Sequence, residues 1–218
     1  MPHLELSDAD ASYNGTAVLR GVSLRIEKGE RVALVGSSGS GKTTLLNMLY
    51  AQRRADAALV PQDLGLVKTL SVFHNVFIGR LNHHPTWYNV ANLLRPFGKE
   101  LAAVEGILEK LGLAAKIRVP VAELSGGQQQ RTAVGRALYQ EASIFLGDEP
   151  VSAVDDHQSR TVLDSITATY QTVVLAMHDV PLAIEYADRL IGMRHGEIVL
   201  DEPAAGMTMA DLDVLYKA

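Results

Sequence analysis

Gly36-Ser37-Ser38-Gly39-Ser40-Gly41-Lys42-Thr43 is entered from the apolar run Val32-Ala33-Leu34-Val35 and left through Leu45-Leu46-Asn47-Met48-Leu49. The order reads as strand, phosphate loop, helix. The spacing fits G-x-x-x-x-G-K-[ST], in which glycines let consecutive backbone N–H groups turn inward around phosphate oxygens. Lys42 reaches the β and γ oxygens and Thr43 offers a hydroxyl to Mg²⁺. The helix beginning at these residues adds its N-terminal partial positive charge to the same anion site. A nucleoside triphosphate pocket follows, but not a reaction, because kinases, GTPases and motor or transport ATPases all use this loop.

The rest of the composition narrows the classes. A chain of 218 residues suits one or two domains, and 47% hydrophobic with 21% charged residues describes an ordinary globular protein. No apolar run approaches the roughly 18 to 20 residues of a membrane helix. The start Met1-Pro2-His3-Leu4-Glu5 lacks a basic-then-apolar signal segment, so a cytosolic location is expected. With no cysteine there is no disulfide, Fe–S cluster or Cys-type zinc site. A net charge of −5 and the lack of a basic stripe argue against nucleic acid as a partner.

Along the chain, residues 3–30 read as two or three short strands. Alternation is clearest at Val22, Leu24 and Ile26, with turns at Asn14-Gly15 and Lys28-Gly29. Tyr13, placed in the first turn, either stacks on an adenine ring or is a partly buried loop aromatic. Ala57-Ala58-Leu59-Val60 ends at Pro61-Gln62, whose amide is either an ordinary strand end or a group reaching Mg²⁺ and water. Residues 71–117 carry apolar positions at roughly helical spacing, from Val72 and Val76 through Leu93, Leu94 and Val104 to Leu111, and read as a helical insertion. Within it His83-His84-Pro85 reads as an exposed loop rather than a metal site, since adjacent residues project to different sides and no acidic ligand sits at the right spacing.

Ser125-Gly126-Gly127-Gln128 opens an amphipathic helix running to Gln140, with Ser125 as N-cap. It is either a second anion-binding helix terminus or a plain Gly-rich loop. Ser143-Ile144-Phe145-Leu146-Gly147 is an apolar strand delivering Asp148 and Glu149 at its C-terminal end, where open α/β sheets bind ligands. Acids on so apolar a strand need a partner. Asp155 follows in the loop, then a helix from His157 to Tyr170 and a buried strand from Thr172 to Met177. His178 stands at the end of that strand, either a structural histidine or, at the ligand edge of the sheet, a group within geometric reach of a γ-phosphate. A helix around Pro181–Tyr186, a hairpin turning at His195-Gly196 and a closing helix from Met207 to Tyr216 complete the reading.

The phosphate loop, Gln62, Leu124-Ser125-Gly126-Gly127-Gln128, Asp148-Glu149-Pro150 and His178 together resemble the ATP-binding cassette ATPases, over essentially the whole chain. Leu-Ser-Gly-Gly-Gln discriminates, because kinases and GTPases with the same phosphate loop lack it. The resemblance implies an α/β fold: a P-loop NTPase core with a mostly parallel sheet, a small antiparallel β subdomain and a helical subdomain inserted at about 71–140 of a single 1–218 domain. It implies Tyr13 on adenine, Gly36, Ser37, Ser38, Gly39, Ser40, Gly41, Lys42, Thr43 and Thr44 on the phosphates, and Thr43, Gln62 and Asp148 on Mg²⁺. Glu149 is then the general base, with His178 as switch, and Lys42 and Gln62 complete the catalytic set. ATP lies between one subunit's phosphate loop and the other's Ser125, Gly126, Gly127 and Gln128 in a head-to-tail homodimer, bridged by Asp155. The partners implied are a membrane permease and, in an importer, a solute-binding protein, with the subunit peripheral on the cytoplasmic face of the membrane.

Leu64–Val72, Asn75–Leu81, Ala183–Arg189 and Arg194–Glu197 are similar to the ATPase subunits of phosphonate or related phosphorus-oxyanion importers. Export, lipoprotein release and non-transport regulation are the alternative roles within the family. In one respect the chain departs from the family pattern: Lys42 and Gln62 stand only 20 positions apart (62 − 42). The antiparallel subdomain is therefore expected to be short, with the catalytic constellation intact. How the resulting open sheet edge is covered is not legible.

Overall fold

The computed structural model describes residues 3–13, 15–212 and 215. Met1-Pro2 of the start, Asn14 of the first turn and Tyr216 of the closing helix therefore lie outside the described residues. The chain divides into two units, one made of Met1–Gln62, Ala142–Ser152 and Tyr170–Ala218, the other of Asp63–Glu141 and Ala153–Thr169.

The first unit opens with two long antiparallel strands, β1 (Leu4–Tyr13) and β2 (Thr16–Ile26). Val22, Leu24 and Ile26 alternate inward as their spacing predicts, and Tyr13 ends β1 instead of sitting in the turn. A six-stranded sheet follows: β3 (Arg31–Val35), β4 (Ala57–Val60), β5 (Ile144–Asp148), β6 (Thr172–Ala176), β7 (Arg189–Arg194) and β8 (Glu197–Pro203), in the order β4-β5-β6-β3-β7-β8. All neighbours are parallel except β8, which returns beside β7 through the His195-Gly196 turn. Apolar runs without alternation suit strands buried on both faces, and β5 and β6 are buried at every position. Helix α1 (Lys42–Gln52) packs Leu45, Leu46 and Leu49 into this core, beside Leu34, Leu146 and Val174.

Register fixes where the site lies. Asp148 of β5 is opposite Ala176 of β6, and Ala176 is opposite Leu34 of β3. The segments leaving these strands, with the phosphate loop after β3, Glu149 after β5 and His178 after β6, therefore start side by side at one edge.

The shortened stretch consists of α1, a turn of four residues (Arg53–Asp56) and β4. The edge of β1 is met at Glu5 by a side chain: the Gln52 amide nitrogen donates to Glu5 O at 2.6 Å, and its Oε1 accepts from Glu5 N at 3.4 Å. Gln52 thus offers β1 the donor and acceptor that a neighbouring peptide would. The Asp56 carboxylate steadies the turn by accepting from Ser143 Oγ at 2.7 Å.

The second unit is helical: α2 (Val72–Phe77), a 3-10 turn over Ile78–His83, α3 (Thr86–Leu94), α4 (Gly98–Lys110), α5 (Gly126–Tyr139) and α6 (Asp156–Thr169). Its core gathers Val72, Phe73, Val76, Phe77, Val104 and Leu108. Glu100 of α4 is buried, accepting from the hydroxyls of Tyr88 (2.8 Å) and Tyr139.

Two expectations are corrected. His84 is not an exposed loop residue: half-buried, it stacks on Phe77 at 6.1 Å and against Tyr88 at 4.6 Å, and Pro85 leads directly into α3. Leu93 and Leu94 lie in α3, a helix as their spacing predicts, and are largely exposed there. The stretch 207–212 forms successive turns, not a helix, with Asp211 N bonding Thr208 O and Leu212 N bonding Met209 O.

Candidate active site

A cavity of about 300 Å³ in the first unit is lined by residues 38–44 of the phosphate loop together with Gln62, Asp148, Glu149 and His178. Five segments distant in sequence meet there, the fifth being β2 through Val18, a strand residue that carried no sequence signal. Tyr13 is not among the lining residues and is 58% exposed.

The loop is shaped for backbone approach. Gly36 has φ 144°, and a Cβ there would lie 2.2 Å from Met193 O, so no side chain fits. Gly41 caps α1 without a side-chain hydrogen bond, and the first turn of α1 carries no acidic residue. Ser40 Oγ is buried and has no hydrogen-bond partner. Lys42, 6% exposed, donates from Nζ to Gly36 O (2.8 Å) and Ser37 O (3.0 Å). Burial pushes its ammonium below the ordinary 10.5, while Glu149 and Asp148 pull it back up. Uncapped helix N–H groups, an orphaned hydroxyl and a buried ammonium form a donor set that fits phosphate oxygens.

Across the cavity, Thr43 Oγ1 donates to Asp148 Oδ2 at 2.6 Å, and Asp148 is 4% exposed. This answers the sequence argument that an acid on so apolar a strand needs a partner. Hydroxyl plus carboxylate, both oxygen donors, suit a hard divalent cation. Glu149 Oε1 lies 2.7 Å from His178 Nε2. Glu149 adopts φ 54°, in the left-handed region, directly after β5. That turn separates its direction from that of Asp148 and lets adjacent acids serve different partners.

In the second unit Ser125 caps α5 as expected, accepting from Gln128 N at 3.4 Å, and Gln128 Oε1 accepts from Ser125 N at 3.1 Å, a complete capping box. A Cβ on Gly127 would lie 2.5 Å from Ala153 O, so the glycine admits the Ala153–Asp155 segment. Asp155 Oδ1 accepts from Gln158 N at 3.0 Å at the start of α6.

The ABC transporter family model matches residues 19–152, and the chain belongs to this family of ATP-binding cassette proteins. It binds ATP and is an ATPase. Among curated proteins it is 36% identical to the phosphonates import ATP-binding protein PhnC of Lactobacillus gasseri, over 99% of this chain and 93% of that one. It is 37% identical to PhnC of Staphylococcus aureus, over 95% and 92%. The first alignment spans 245 positions, longer than this 218-residue chain, so that relative carries residues this one lacks. Among solved structures the fold matches the dimeric ATP-binding cassette MJ0796 in a post-hydrolysis state with ADP and Pi (TM-score 0.77, 24% identity, 94% of this chain and 100% of that one). A second dimeric MJ0796 structure matches at TM-score 0.79, with the same identity and coverage. The mostly parallel sheet, small antiparallel sheet and helices are those of a P-loop NTPase.

Proposed function

We propose that the chain is the ATP-hydrolysing subunit of a membrane importer for phosphonate or a related phosphorus oxyanion, working as a single cassette over 1–218 with its helical part at about 71–140. The substrate class is supported by 36% and 37% identity to proteins named for phosphonate import. Two copies act head to tail, ATP lying between residues 36–44 of one and Ser125, Gly126, Gly127 and Gln128 of the other. Tyr13 stacks on the adenine, and Asp155 bridges the copies. A permease and a solute-binding protein complete the system at the cytoplasmic face of the membrane. Among the described residues no helix is long and apolar enough to cross a membrane.

The observation carrying the chemistry is the convergence of Lys42, the Thr43–Asp148 pair and the Glu149–His178 pair on one cavity. Lys42 leaves the carbonyls of Gly36 and Ser37 for phosphate oxygens and stabilises charge there. Thr43, Asp148 and Gln62 would hold Mg²⁺, which would supply charge neutralisation beside the transferred phosphoryl group. Glu149 accepts a proton from the attacking water, and His178 fixes the rotamer of that carboxylate and reaches the γ-phosphate. Neither half-site surrounds the phosphate alone, so ATP joins the copies and hydrolysis releases them.

Glu149→Gln keeps the geometry and removes the base. Turnover is expected to fall by about 100-fold or more, with an ATP-dependent dimer accumulating on size-exclusion chromatography. Normal hydrolysis by this variant would sink the assignment of Glu149.

A further inference from the structure

The glutamines at 128, 129 and 130 look interchangeable in sequence, yet each has its own partner. Gln128 completes the capping box with Ser125, and Gln129 Nε2 donates to Leu124 O at 3.0 Å. Gln130, only 4% exposed, turns to the following segment, its Oε1 accepting from Ala153 N at 2.8 Å. One turn earlier, Gly127 abuts Ala153 O so closely that a Cβ would sit 2.5 Å away. Ala153 is thus held at its N–H by a buried amide and at its carbonyl by contact with the start of α5.

The far end of the same segment is fastened to α6. Ser159 N donates to Asp155 O at 2.8 Å, Gln158 N to Asp155 Oδ1 at 3.0 Å and Ser159 Oγ to Val154 O at 3.3 Å. Asp155, exposed, therefore has its backbone position set from both sides while its carboxylate stands at the surface. An apolar residue at 130 would fill the space but leave the Ala153 N–H without this acceptor.

We propose that Gln130 is a positioning residue for ATP hydrolysis: by holding Ala153 it makes the Ser125–Gly127 turn and the Asp155 segment move as one piece. Phosphate engaged at the turn then sets where Asp155 meets the second copy. This rests on the reading of Ser125–Gly127 and Asp155 as the contributions of one copy to the other's nucleotide site.

The test compares two side chains of similar length. Gln130→Met removes the acceptor oxygen, whereas Gln130→Glu retains one. Gln130→Met is expected to lower kcat about tenfold or more with KM for ATP changed less than about twofold, and Gln130→Glu to recover most of kcat. A role confined to filling space predicts the reverse ranking, since the buried charge of Gln130→Glu is the worse fit. Unchanged kcat in Gln130→Met, or equal loss in both variants, overturns the proposal. Hydrogen exchange of the Ala153 amide gives a readout independent of turnover and of how well either variant folds. Protection is expected in the unaltered protein, and an unprotected amide there also overturns it. Ser125→Arg assayed in parallel separates the two levels. If it leaves turnover intact, the two-copy site fails. If it abolishes turnover while Gln130→Met does not, Gln130 alone fails.

Discussion

At Gly36 a single methyl group decides whether the phosphate loop can close, since the Cβ would overlap Met193 O of the neighbouring strand. Gly36→Ala is expected to cost about 1–3 kcal/mol of stability through overpacking and to weaken ATP binding more than tenfold. Thermal melting and nucleotide titration check the two separately, and an alanine variant binding ATP normally would contradict the loop geometry. This residue was legible because its chemistry is local: glycine spacing, lysine and threonine all fall within eight positions. Gln52, Gln130 and Glu100 were not, because their partners stand 47, 23 and 39 positions away. Nothing in the identity of a glutamine says which distant backbone it will meet. The pairing of Asp148 with Thr43, 105 positions apart, was half legible: its apolar strand demanded a partner without naming one.

Elements read well where periodicity met a buried sheet and poorly where it met a surface. The strands before and after the phosphate loop fall close to where their apolar runs put them, but α3 turns Trp87, Leu93 and Leu94 outward, which spacing cannot distinguish from inward. Among the contacts that hold α3, besides the packing of Tyr88 on His84 and Phe97, is a polar one. Tyr88 of α3 and Tyr139 of α5 both donate to Glu100 of α4. Burial raises the Glu100 pKa, but these hydrogen bonds and the nearby His84 and Lys99 bring it below the ordinary 4.5. A carboxylate depressed in the folded state adds stability that is full above its unfolded pKa and disappears as pH falls through the folded one. Tyr139→Phe removes one donor and lets the folded pKa climb back. It is expected to lose about 1–3 kcal/mol at neutral pH, with a shallower decline below pH 4.5 than the unaltered protein. Melting curves between neutral and strongly acidic pH would show it, and parallel curves for the two proteins would contradict it.

For the whole molecule, the proposal requires a second copy and a membrane partner. Affinity purification from the native membrane is expected to bring down a permease, and deletion of this subunit to abolish uptake of phosphonate or phosphite. Unchanged uptake would exclude that substrate while leaving the ATPase assignment standing. The family resemblance covered the whole chain, yet it could not say how a cassette tolerates so short a run between Lys42 and Gln62. Beside the shortened segment, the Gln52 amide bonds the Glu5 backbone of β1. One side chain doing the job of a peptide neighbour makes the join between Gln52 and Ala57 a modular seam. Lengthening its exposed Arg53-Arg54-Ala55 turn by a few residues is therefore expected to leave ATP turnover unchanged, since α1 and β4 carry Lys42 and Gln62 to the cavity from either side of it; a lost ATPase activity in such an insertion variant would contradict this.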